Sequence, residues 1–153
     1  MDPAAALSAP MPLQLALATA MVLATVMIHG AGLAVLGRAL RIERLQEVGR
    51  HVPPLSARSL VFTLLVVLAL FTLHGIEIWL YAALYLALHA VQDLEVAVYF
   101  STLTYGAIGY GDQYMAPAWR LVAAIEGING VLLIGWSTAF FVSVVARLDL
   151  RRR

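Results

Sequence analysis

The stretch Tyr99-Phe-Ser-Thr-Leu-Thr-Tyr-Gly-Ala-Ile-Gly-Tyr-Gly-Asp112 decides how this chain folds. Its first half closes a segment, Leu94–Tyr105, that is apolar with small polar residues interspersed. A helix rises about 1.5 Å per residue, so this segment is too short for the roughly 30 Å of a bilayer's hydrocarbon core. It is long enough to dip partway in. The second half is rich in glycine, with Gly106, Gly109 and Gly111, and Pro117 follows. Non-helical backbone at membrane depth is tolerated only where it is buried in protein or lines water. A half-helix followed by glycines therefore predicts a re-entrant loop, provided that both of its flanks cross the membrane.

Both flanks have that character. Ser59–Gln92 carries Glu77 as its only formal charge, and the run between Arg120 and Arg147 carries only Glu126. A third run, Leu13–Gly37, follows Pro10 and Pro12 and ends at Arg38. About 20 apolar residues suffice for a helical span, so the expectation is an all-α integral membrane protein with three transmembrane helices and a re-entrant helix. Ser59–Gln92 exceeds a minimal span, which predicts a tilt or a bend at Gly75. Leu13–Gly37 lacks the basic lead-in of a cleaved signal peptide and is too long for its apolar core. Composition agrees: 62% of the residues are apolar and 12% charged, against about 45–50% and about 25% in soluble domains. The absence of cysteine excludes disulfides and thiolate metal sites. Ten arginines, no lysine and nine acids leave a formal charge of +1, too balanced for a nucleic-acid binder.

The connections carry the charge. Arg38–Arg58 contains Arg38, Arg41, Arg44, Arg50 and Arg58, and the spacing of these charges with Leu45 and Val48 predicts that the first helix continues past the bilayer until Gly49 and Pro53–Pro54. Arg151, Arg152 and Arg153 follow the last span. By the positive-inside rule this loop and tail are cytoplasmic, and three spans then put the N-terminus outside. The expected organisation is 1–57 (outer tail, first helix, basic loop), 58–147 (a module of two spans around the re-entrant loop) and 148–153 (a short basic tail).

Ile108-Gly109-Tyr110-Gly111-Asp112, behind a half-helix and between two spans, resembles the pore helix and selectivity filter of the tetrameric potassium-channel superfamily. The bacterial two-transmembrane pore modules are most similar, and the resemblance covers roughly Arg58–Arg147, with the first helix outside it. It implies a homotetramer forming a potassium-selective or potassium-preferring cation channel in a bacterial plasma membrane. Such a protein conducts passively, is not an enzyme, and needs no cofactor besides the permeant ion. Potassium would be held by the backbone carbonyls of Ala107, Ile108, Gly109 and Tyr110, which replace its hydration shell. Turning successive carbonyls to one axis requires alternating backbone conformations with positive φ, which Gly109 and Gly111 adopt cheaply. By the same resemblance Tyr110 wedges the filter against the pore helix, Asp112 bonds Tyr99 at the outer mouth, Tyr99 and Thr104 support the filter, and Gly130 is the gating hinge of the inner helix; the alternative for Gly130 is close packing against a neighbour. Family filters usually begin with two threonines; here Gly106 and Ala107 stand there. The innermost site lacks its ring of hydroxyls, which weakens potassium-over-sodium selectivity.

An ionisable group within a span is expensive and functional by default. His74 and Glu77, three apart, share one helix face, and Glu126 lies about two turns into the last span. The expectation is that the three meet in one proton-sharing network bracing the filter; the alternative is that each is hydrogen-bonded separately. His29 reads as a lone core histidine, though with His74 and His89 it permits a rival, a membrane haem protein. A non-conducting accessory subunit is a third reading. Asp93, Glu95 and Asp112 either enrich cations at the outer mouth or are ordinary loop acids. The first helix is expected outside the pore module, anchored with its arginines to anionic inner-leaflet lipid. Neither a voltage sensor's arginine repeat, a phosphate-binding loop nor a metal-ligand cluster is visible in the sequence.

Overall fold

A computed structural model describes residues 9–47, 57–109 and 111–149, and for 41–47, 58, 59, 112 and 147–149 the backbone alone. The described residues form four α-helices, α1 Met11–Glu47, α2 Ala57–Ala87, α3 Leu94–Tyr105 and α4 Arg120–Asp149, with no strand among them. Segments Met11–Leu40, Leu60–Ala87 and Pro117–Ala146 are long and apolar enough to cross a membrane. The chain is thus an all-α, multi-pass membrane protein. The first helix does continue past Arg38, to Glu47; Gly49 and Pro53–Pro54 lie outside the described residues.

The half-helix α3 has the expected bounds, but the preceding span is shorter than its apolar run. α2 ends at Ala87 rather than Gln92 because the chain turns left-handed at His89 (φ +49°). The His89 N–H donates to Leu86 O (3.0 Å) and the Ala90 N–H to Tyr85 O (2.8 Å). This paired pattern caps a helix C-terminus by satisfying its last carbonyls. Three residues later Asp93, whose carboxylate accepts from the Val96 N–H at 2.9 Å, starts α3; an acidic N-cap both fills an orphan donor and complements the helix dipole. α2 is helical through Gly75.

α3 lies between α2 and α4, and α1 packs on α2 and α4. One core, including Tyr81, Tyr85, Ala97, Phe100 and Val122, surrounds α3; a second, with Leu33, Leu40, Val66, Leu73 and Val144, ties α1 to the other ends of α2 and α4. Burial is inverted relative to a soluble protein. Leu23, Met27, Leu68 and Phe71 are exposed, while Thr25, His29, Glu77, Ser101, Glu126 and Asn129 are buried. Lipid is as apolar as leucine, so helices associate through close packing and polar contacts instead. α1 uses both: at Gly32 an added Cβ would meet Leu73 of α2 at 2.6 Å, and Asn129 of α4 donates to Thr25 Oγ1 at 2.8 Å.

Candidate functional site

The candidate site is the end of α3 and the backbone that follows. The N–H groups of Gly106, Ala107 and Ile108 turn back to the carbonyls of Thr102, Thr104 and Leu103 at 2.9–3.0 Å. They close the helix, and residues 106–109 are left exposed on the chain's surface. From there φ is positive at every second residue: Ala107 (+56°), Gly109 (+70°) and Gly111 (+153°). Glycine adopts such values freely, whereas alanine in the left-handed region costs about 1–2 kcal/mol. Ala107 is thus a strained member of the alternation, which the residue type alone did not reveal. Tyr110 lies outside the described residues, as does the Asp112 side chain expected to bond Tyr99. The Tyr99 ring meets Tyr114 edge-on, at 6.4 Å between centroids.

α4 receives this loop through two glycines. A Cβ at Gly127 would stand 3.3 Å from Thr104 O, and one at Gly130 only 2.1 Å from Tyr105 O. Gly130, expected as a hinge, is therefore the point where α4 presses on the backbone at the end of α3, and no larger residue fits there.

Two buried carboxylates hold the back of α3. Glu126, fully buried, accepts from the Tyr85 hydroxyl of α2 and the Ser101 hydroxyl of α3. Glu77, also fully buried, accepts from the Tyr105 hydroxyl and stands 2.9 Å from His29 Nδ1. His74 Nδ1 stands 2.9 Å from the Tyr105 oxygen and 3.4 Å from the second Glu77 oxygen. His29 Nε2 reaches Ser137 Oγ at 3.2 Å, so both nitrogens of that ring are partnered. The structure thus brings His74 and Glu77 together but keeps Glu126 in a separate cluster with its own hydroxyl partners. The expected single network is two. His29, expected as a lone core histidine, is instead bonded to Glu77 and Ser137; a histidine and a buried acid on different spans of opposite direction can meet at one depth, which is the signal the sequence carries. Its ring lies 5.2 Å from that of His74, with the Glu77 carboxylate touching both. That arrangement leaves no slot for a porphyrin between His29 and His74.

Two spans around a re-entrant half-helix, capped by a loop of alternating φ, define a helical membrane pore module. Residues 62–147, more than half of the chain, match the ion channel family, whose unit is the two-transmembrane, potassium-channel-like domain. The chain belongs to this ion channel family. No curated protein and no solved structure matches it.

Proposed function

We infer that four copies of this chain form a potassium-preferring cation channel, with the carbonyls of Ala107, Ile108, Gly109 and Tyr110 lining a four-fold axis. The observation that carries this is the alternation of positive φ along Ala107, Gly109 and Gly111 at the tip of a half-helix. Alternate residues turned this way can direct successive carbonyls to one side, and rings of carbonyls replace the hydration shell of a dehydrated cation. One chain supplies one wall of such a ring, so closure by cyclic symmetry completes it; the exposure of 106–109 on the single chain fits that need. α3 points its C-terminal, negative end toward the same region, which favours a cation there. The arginine-rich loop and tail face the cytoplasm and anionic lipid of the plasma membrane, the N-terminus lies outside, and Gly130 is the pivot of α4 when the pore opens.

Recording from the reconstituted protein in bilayers with opposed potassium and sodium gradients tests this. The reversal potential is expected to follow the potassium gradient; one indifferent to potassium overturns the proposal. Because Ala107 lacks a hydroxyl, Ala107→Thr is expected to raise the potassium-to-sodium permeability ratio or alter barium block. Unchanged permeation and block would refute a weakened innermost site.

A further inference from the structure

Behind α3, His29, His74 and Glu77 each offer one ligand atom, and the three atoms lie within 4.8 Å of one another. Nothing in the conduction proposal uses this arrangement. Donors about 2.0–2.2 Å from a tetrahedral zinc ion stand about 3.3–3.6 Å apart. Glu77 is already 2.9 Å from His29 Nδ1 and 3.4 Å from His74 Nδ1, through its two oxygens. The Tyr105 hydroxyl touches both His74 and Glu77. Behind His29, Ser137 Oγ sits 3.2 Å from Nε2. A ligating imidazole characteristically gives its other N–H to such an oxygen, which fixes the ring and its tautomer. His74 is 17% exposed while His29 and Glu77 are sealed, so the cluster has one open side through which an ion could enter.

A buried carboxylate is costly unless it is paired, and the two imidazoles can pair Glu77 through a shared divalent ion. We propose that His29, His74 and Glu77 bind a divalent transition-metal ion of the zinc class, with Ser137 orienting His29. Two imidazoles and one carboxylate suit zinc and its first-row neighbours, whereas calcium and magnesium prefer oxygen ligands. The site joins α1 and α2 beside Tyr105, the last residue of α3 and the one pressed against Gly130. A bound ion therefore fastens the three helices at the base of the loop proposed to conduct.

Untagged full-length protein, purified in detergent, stripped with EDTA and titrated with Co2+, is the test. It is expected to take up one ion per chain and develop the visible ligand-field bands of four-coordinate cobalt, which Zn2+ then displaces. Glu77→Gln keeps the side chain's shape and is expected to weaken binding by more than about 100-fold, and Ser137→Ala by about 10-fold. His89→Asn, in the loop beyond α2, should leave binding unchanged. Absence of cobalt bands from the unsubstituted protein, or the same bands in Glu77→Gln, overturns the site. The unsubstituted spectrum decides even where a variant fails to assemble. Since the readout is optical, a protein that binds cobalt but carries no current supports the site and removes only the conduction proposal.

Discussion

Glu77 and Glu126 are the same residue type, equally buried, and both hold the back of α3. Their neighbours make them different devices. Glu126 meets only hydroxyls, from Tyr85 and Ser101, and pins the middle of the half-helix. Glu77 meets two imidazoles and the Tyr105 hydroxyl, and so holds the end of the half-helix through the same groups proposed to bind a metal ion. A buried acid is thus defined less by its depth than by which donors the packing brings to it.

That contrast can be broken experimentally. Glu77→Ala strands His29, His74 and Tyr105 together, and removing one partner of a buried pair costs about 3–5 kcal/mol; denaturation of the purified protein in detergent should reveal the largest loss of any change here. Gly130→Ala forces a Cβ into the Tyr105 backbone, which cannot swing aside as a flexible side chain would. Overpacking of this kind costs about 2–3 kcal/mol, and the same assay should place it second, with current abolished. Glu126→Gln leaves a donor facing hydroxyls already committed, at about 1–2 kcal/mol. It should lower the melting temperature while cobalt binding at the Glu77 cluster stays intact. The smallest effect sharpens the contrast best. Tyr105→Phe and Tyr85→Phe each remove one hydroxyl, about 1 kcal/mol of stability, but only Tyr105→Phe should change channel opening in bilayer recordings. Equal effects on opening would make the two carboxylates equivalent.

Much of this molecule was legible in the chain. The bounds of α3, the three spans and the extension of α1 past Arg38 all follow from local hydropathy and charge, properties each residue carries wherever the chain goes. Asp93, expected only as a mouth or loop acid, caps α3 through its carboxylate. The end of α2 was not legible, because Leu88–Gln92 is as apolar as a span and the turn rests on a left-handed His89, a conformation that residue type permits without announcing. Neither was the separation of Glu126 from Glu77, since hydropathy gives depth along a helix but not the rotation that aims a side chain at one neighbour rather than another.

The sequence by itself determined a three-span helical membrane protein with a glycine-rich re-entrant loop between the last two spans, because apolar length and backbone freedom are read residue by residue. Only the tertiary structure decided what stands behind that loop. His29 meets Glu77 across 48 positions and Ser137 across 108, and Gly130 packs against the Tyr105 backbone. Where lipid offers no polar partners, buried polar groups must find one another, and which pairs form depends on how four helices are rotated and stacked.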